Sequence, residues 1–368
     1  MNELSKISVV LPSLDPDEKL HAVIEGLLEY GFSHIILVND GSKPENLHYF
    51  EEEAAAHPEV ITLLHHAVNR GKGAALKMAF NWFLVHRPDG IGVVTVDGDN
   101  QHHPEDTRAC ALSMMETGHI TLGCRDFNQA DVPARSSFGN KTTSAIFKIF
   151  VGMTISDTQT GLRAIPREQL KKILAVEGDR FEYETNMLLA MKRLDIPFDE
   201  VKIRTVYIEE NKSSHFHPIR DSWRIYKLIL VHFFKYTLVS ALSAVIDNAL
   251  FAFLSGLFHM MLSGMALTVV STVGARVVSS LFNFFMNKSV VFQSGTSTGK
   301  AMLRYYMLAV PQMAAQVLLT QGMYILLGIP DSATGTRTLI YAVVMTALYI
   351  VSFMIQQRWV FAADKEKN

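Results

Sequence analysis

Two carboxylates one residue apart interrupt the segment Val93 to Glu105, VVTVDGDNQHHPE. An apolar strand ends there in Asp97-Gly98-Asp99, with Gln101 following. Asp97 and Asp99 at a strand end can face one divalent cation, and Gly98 lets the backbone come close to a ligand. A diphosphate leaving group needs such an ion, because its departure leaves charge to be neutralised. The competing reading is a turn with a capping Asp ahead of a helix at Pro104. Ile36 to Ser42, ILVNDGS, is a second strand ending in an acid. Asp40 there can accept hydrogen bonds from a nucleobase or ribose, or can form an Asp-Gly turn with Ser42. Asn69 to Gly73, NRGKG, opens the next helix with two glycines and two basic residues. That suits an anion at a helix N-terminus, at a spacing unlike that of the Walker phosphate loop. The fourteen histidines show no metal-ligand spacing, and His102 and His103 are expected to line the pocket.

The elements that must position these residues are short apolar runs alternating with amphipathic ones. Strands are predicted over Ile7 to Leu11, Ile35 to Val38, Val60 to Leu64, Gly92 to Val96 and Ile120 to Gly123. Helices are predicted over Glu18 to Tyr30, Glu45 to Ala56, Lys72 to His86 and Pro104 to Thr117. This order predicts an α/β domain with a mostly parallel, Rossmann-like sheet. Ligands of such sheets bind at the carboxyl ends of the strands, where both acidic motifs fall.

Charge divides the chain. Of 34 Lys+Arg and 36 Asp+Glu in 368 residues, only seven fall between 237 and 357. The net charge of -2 gives no argument for a nucleic-acid partner. The two cysteines, Cys110 and Cys124, argue against a disulfide framework and fit a reducing compartment. Met1 to Leu11 does not read as a signal peptide, so the first part is expected in the cytoplasm. Four segments reach spanning length, roughly 234–257, 265–287, 303–328 and 337–357. The Lys and Arg of the loops satisfy an orientation with both termini inside. Between the two parts, Arg220, Arg224 and Lys227 alternate with Trp223, Tyr226 and Leu228, as in an interfacial helix at lipid headgroups. Asn283 to Phe292, NFFMNKSVVF, and Ser352 to Phe361, SFMIQQRWVF, form a weak repeat that pairs the spans two by two. Asp247 and Arg276 are ionisable residues at membrane depth and are expected to pair.

The motifs LPSLDPDEKL (11–20), VNDGS (38–42), NRGKGAAL (69–76) and DGDNQHHPED (97–106) together resemble glycosyltransferase family 2. The resemblance continues through GCRDF (123–127), RSSFGNK (135–141), DTQTGLR (157–163), FEYETNML (181–188) and TVYIEENKSSHF (205–216). Its order and spacing are similar to the polyprenyl-phosphate branch of that family. The second part is similar to the GtrA-type domain with four spans. The resemblance implies a GT-A catalytic domain over 1–215, juxtamembrane helices over 216–235, an all-α transmembrane domain over 236–361 and a cytoplasmic tail over 362–368. It implies that Pro12, Leu14, Asp15, Asp40, Lys72 and Asp97 hold the nucleotide sugar. Asp97, Asp99 and Gln101 would hold Mg²⁺ or Mn²⁺. Arg125, Arg135, Lys141 and Lys212 would receive the acceptor phosphate. Asp157 and Arg163 would sit where donor and acceptor meet, with Asp157, Asp99 and Arg163 as the catalytic group.

The implied reaction is inverting transfer of a hexose, from a UDP-sugar, to a polyprenyl phosphate at the cytoplasmic membrane face. A phosphate monoester has a second pKa of about 6, so the acceptor is already an anion at neutral pH. It needs cations to bring two anionic substrates together more than it needs a strong base. The alternative is a lipid-linked sugar transporter whose first domain only binds. A processive synthase is disfavoured, because Ile355 stands where its Gln-x-x-Arg-Trp signature needs glutamine. The resemblance leaves homo-oligomerisation open.

Overall fold

The computed structural model describes residues 3–127, 132, 134–204, 218–330 and 332–362. It divides into two compact units, Met1–Leu228 and Ile229–Asn368. In the first, seven strands form one mixed sheet: β1 (Ile7–Ser13), β2 (Ile35–Asn39), β3 (Ile61–His65), β4 (Gly92–Thr95), β5 (Ile120–Arg125), β6 (Arg163–Pro166) and β7 (Phe198–Ile203). Their order is β3-β2-β1-β4-β6-β5-β7. β6 runs antiparallel to both β4 and β5, and the other pairings are parallel. This is the Rossmann-like, mostly parallel GT-A arrangement that the motifs imply.

β1 and β2 are buried along nearly their whole length, as expected of strands covered on both faces. Helices α1 (Lys19–Glu29), α2 (Leu47–Ala56) and α4 (Pro104–Thr117) pack together on one side. On the other, α3 (Lys72–His86) packs on β1 and β2 and against two later helices. Helix α5 (Ala134–Ile146) precedes β6, and α6 (Arg167–Leu174) and α7 (Glu182–Arg193) follow it. The last two are the helices that meet α3. Leu20, Ile24, Leu37, Phe50, Val94 and Leu162 belong to the shared core. Both cysteines are free and buried.

The five strands and four helices expected from the pattern are all present within a few residues. β6 and β7 were not expected. β6 is only four residues, RAIP, without an apolar run. β7, FDEVKI, carries charge at Asp199, Glu200 and Lys202, as suits an edge strand, paired among the described residues with β5 alone.

The second unit holds all but the first turns of α8 (Pro218–Phe258), with α9 (Gly264–Met286), α10 (Thr298–Leu326) and α11 (Thr334–Ile355). Among the described residues, three stretches are long and apolar enough to cross a membrane: Leu230–Phe258, Gly264–Val291 and Thr334–Val360. The expected segment 303–328 lies largely within α10. That helix has the length, but Gln312, Gln316, Thr320 and Gln321 make it more polar than the others. The expected juxtamembrane stretch begins in residues outside the description and continues as the first turns of α8. The side chains of Arg220, Trp223, Arg224 and Tyr226 are likewise outside it.

The repeat has a structural counterpart. α9 and α11 each end in a π-helical turn, Asn287–Val291 and Gln356–Val360, at matching positions of the two sequences. Phe292 and Phe361, which close the two copies, stack with ring centres 5.1 Å apart. A buried polar chain joins the copies: Asn287 Nδ2 donates to Gln356 Oε1 (3.2 Å), and Gln356 Nε2 donates to the Tyr236 hydroxyl (3.0 Å). Asp247 and Arg276 pair at 3.2 Å, and the Ser279 hydroxyl donates to Asp247 at 2.7 Å. Arg276→Ala would leave Asp247 with Ser279 but without its cation and, since the Arg276 side chain is 67% exposed, is expected to lower stability by about 1 kcal/mol. The neutral double variant Asp247→Asn/Arg276→Gln is expected to regain most of that loss, read in thermal melts in detergent.

Candidate active site

Three segments that the sequence keeps far apart meet at the carboxyl end of β4. Lys72 opens α3, Asp97 lies just beyond β4, and Glu184 sits in the first turn of α7. Lys72 Nζ lies 2.7 Å from Asp97 Oδ1 and 3.0 Å from Glu184 Oε1. Burial works against the charge on Lys72, but the two carboxylates outweigh it and hold the ammonium above its ordinary pKa. Burial likewise opposes the Asp97 carboxylate. Lys72, His102 and Arg125 reverse the balance and bring its pKa down to about 2. Both groups are therefore ionised at neutral pH. Gly161 closes over this cluster: a Cβ there would lie 2.3 Å from Asp97 Oδ2 and 3.1 Å from Lys72 Nζ. The Thr95 hydroxyl holds the Gly161 carbonyl at 2.6 Å.

Asp99 stands two residues on, half-buried beside Asp97. Burial first, then the Asp97 charge, push its carboxyl above the usual range. A like-charged pair of this kind gains from a nearby cation. The backbone N–H of Gln101 donates to Asp99 Oδ1 at 3.2 Å. The N–H of Asp97 donates to His102 Nδ1 at 3.3 Å, so that nitrogen is the unprotonated one. Burial lowers the His102 pKa and favours this neutral ring. His103 caps α4 by accepting the N–H of Glu105.

Asp40 takes another part. Its carboxylate accepts from His66 Nδ1 (2.7 Å), Arg70 N–H (3.0 Å) and Gly71 N–H (2.7 Å). The anion at the N-terminus of α3 is thus the chain's own Asp40. Gly71 meets the demand with φ +103°, where a Cβ would lie 2.5 Å from the Asp179 carbonyl. Asp15 ties two loops together. Its N–H donates to Ser42 Oγ (2.8 Å), and its carboxylate accepts from Lys43 N–H (2.8 Å) and Asn46 Nδ2 (3.2 Å). Pro12 is buried in β1 opposite Val38, and Leu14 follows that strand.

The cationic side of the site comes from β5 and β6. Asp157 is fully buried and clamps Arg125, with Nε at 2.7 Å and Nη2 at 3.3 Å. It also accepts the Gln159 N–H at 3.0 Å. Arg163 is 1% exposed. It donates from Nε to the Thr160 carbonyl (3.1 Å) and from Nη1 to the Glu184 carbonyl (2.8 Å). Its Nη2 has no hydrogen-bond partner among the described residues. Arg125 also lines a cleft of about 420 Å³ with Phe127, Asn140, Lys141, Ser144 and Lys202.

Lys72, Asp97 and Asp99 thus come together with Arg163 nearby, and Arg125 and Lys141 share one cleft. The side chain of Arg135, in the first turn of α5, and all of Lys212 lie outside the described residues. Sequence reasoning passed over Glu184 and Gly161. Both lie inside quoted motifs, FEYETNML and DTQTGLR, yet only the fold brings them to Lys72 and Asp97.

Both parts of the chain are similar to known proteins. Residues 8–174 match the model for glycosyl transferase family 2, and residues 235–361 match that for the GtrA/DPMS transmembrane domain. An uncharacterised protein of Methanocaldococcus jannaschii is 29% identical over 241 residues, 64% of this chain and 96% of that one. The UDP-N-acetylglucosamine–dolichyl-phosphate N-acetylglucosaminyltransferase of Methanococcus voltae is 25% identical, over 55% of this chain and 86% of its own. The polyprenol monophosphomannose synthase of Mycolicibacterium smegmatis is 26% identical, over 55% and 77% respectively.

Gly161→Ala would push a methyl group into the Asp97–Lys72 pair. It is expected to reduce kcat/KM for sugar transfer about 100-fold, the cost of a misplacement near 1 Å, while circular dichroism stays unchanged.

Proposed function

From a chain that joins a glycosyl transferase family 2 domain to a GtrA/DPMS transmembrane domain, we propose an inverting glycosyltransferase. It moves a hexose from a nucleotide diphosphate sugar, a UDP-sugar, to a polyprenyl phosphate at the cytoplasmic face of the cell membrane. The observation that carries this reading is the state of Asp157. Its oxygens are taken by Arg125 and the Gln159 N–H, so it is engaged in positioning a cation. An acceptor that is already a phosphate anion fits such a site, because it needs no proton removed before attack. The names of two relatives, one acting on dolichyl phosphate and one a polyprenol monophosphomannose synthase, support the acceptor class.

In the proposed step an acceptor phosphate oxygen attacks the anomeric carbon of the donor. The bond from that carbon to the diphosphate oxygen breaks, and its electron pair leaves with the diphosphate. Configuration inverts. Arg125, held by Asp157, and Lys141 attract the acceptor phosphate. Arg163, buried on β6, would fix the Thr160 and Glu184 carbonyls where donor and acceptor meet. Lys72 keeps Asp97 ionised and fixed against Gly161. Asp99, Asp97 and Gln101 are the residues that would hold Mg²⁺ or Mn²⁺, and the raised pKa of Asp99 beside Asp97 supports a dication there. When bound, such an ion neutralises the charge developing on the leaving diphosphate. Asp15 and Asp40 act through the loops they tie down, at the edge where the nucleotide would lie. The binding-only alternative is disfavoured, because a domain that merely bound lipid-linked sugar would not need Lys72, Asp97, Glu184 and Arg163 assembled together.

The direct test uses purified protein in detergent with Mn²⁺ or Mg²⁺, undecaprenyl phosphate and a panel of radiolabelled nucleotide sugars. The expected result is label in the lipid phase, dependent on both metal and prenyl phosphate. Nucleotide binding with no transfer from any donor would overturn the proposal. Asp99→Ala is expected to lower kcat by about 100-fold or more; near-normal turnover would refute the metal assignment.

A further inference from the structure

On the far side of α1 from the sheet core, two helices present complementary pairs of possible metal ligands. His21 and Glu25 stand four residues apart on α1 and therefore share a face. Glu53, near the end of α2, and His57, its C-cap, have the same spacing in reverse order. The pairs meet across the helix contact. His21 Nδ1 lies 2.8 Å from Glu53 Oε1, and His57 Nε2 lies 2.9 Å from Glu25 Oε1. One ligand atom each from His21, Glu25 and Glu53 falls within 4.8 Å of the others.

The burial of Glu53 is the second observation. Its side chain is only 9% exposed, and its Oε2 has no hydrogen-bond partner among the described residues. A buried carboxylate oxygen left open is costly, and a cation is one of the few groups that can satisfy it. His21 and Glu25 are far more open, with side chains 65% and 42% exposed, so an ion has a path from solvent.

We propose that His21, Glu25 and Glu53 form a second metal site, separate from the acidic motif at β4, that takes a divalent transition cation of the Zn²⁺ type. One imidazole and two carboxylates suit such an ion better than Mg²⁺, which prefers oxygen ligands and retains its waters. Ligand atoms about 2.1 Å from a tetrahedral zinc stand roughly 3.4 Å apart, inside the range these side chains already span. The fourth position would be open to water. His57, bonded to Glu25, would orient that carboxylate, as outer-shell partners of metal ligands do. The site would clamp α1 to α2. Those helices directly follow the loops of Asp15 and of Asp40 to Asn46, which Asp15 joins. The ion would therefore stiffen the proposed nucleotide edge from behind without touching a substrate.

The test is equilibrium dialysis of the chelator-stripped full chain in detergent, with Zn²⁺ titrated in the presence of excess Mg²⁺ and bound metal measured directly. Expected is one Zn²⁺ per chain with a matching rise in melting temperature. Asp99→Ala should retain it. Glu53→Gln, close in shape to the native side chain, and His21→Gln, at an exposed position, should each weaken it by at least about tenfold. Two results would overturn the proposal: no Zn²⁺ bound by the native chain, or binding abolished by Asp99→Ala and unaffected by Glu53→Gln and His21→Gln. Because the readout is metal content and melting, failure of the proposed transfer reaction would leave this test unchanged.

Discussion

The first unit is organised around one buried ammonium. Lys72 keeps its charge against burial because Asp97 and Glu184 flank it, and Lys72 in turn holds Asp97 ionised. That mutual requirement joins the start of α3, the end of β4 and the first turn of α7. Other contacts follow from it. Gly161 must be glycine because the pair lies against its backbone. Thr95 holds that backbone, and Arg163 reaches from β6 to the carbonyl of Glu184. The short antiparallel β6 matters because it inserts Arg163 between β4 and β5, next to both charged motifs.

The result is a site that sets carboxylates beside guanidinium groups. Asp97 and Asp99 form a like-charged pair that favours a cation. Arg163 lies close by on β6, and Arg125, clamped by Asp157, lines the adjoining cleft. Such an arrangement suits a reaction between two anionic phosphates, where holding them together is most of the difficulty. Asp157 illustrates it. A buried carboxylate beside a reaction centre invites assignment as a base, but here its oxygens are occupied in fixing Arg125.

β1, β2, β4 and β5 were legible as buried apolar runs, and β3 as a partly buried one, separated by helices of the right length. β6 and β7 were not, since one is four residues long without an apolar run and the other carries three charges in six residues. Asp40 shows a subtler limit. The spacing of Asp40 and of NRGKG suggested two sites for a ligand. In the fold they satisfy each other, because the amides that open α3 need an acceptor and Asp40 is buried within reach. Glu184 was hidden for the opposite reason, as nothing within its helix hints that Lys72, more than a hundred residues earlier, will come to it. The Asp247–Arg276 pair was legible, since two opposite charges at equal depth in apolar helices have few other partners.

The central claim is that the acceptor's own ionisation, and no carboxylate of the protein, supplies the nucleophile. The most direct measurement is the pH dependence of kcat with a polyprenyl phosphate and with its phosphorothioate analogue, whose second ionisation lies lower. The account predicts that the rise in rate follows the acceptor, near pH of about 6 for the phosphate and lower for the analogue. A rise that stays at one pH for both acceptors would contradict it and would return a protein group to the role of base.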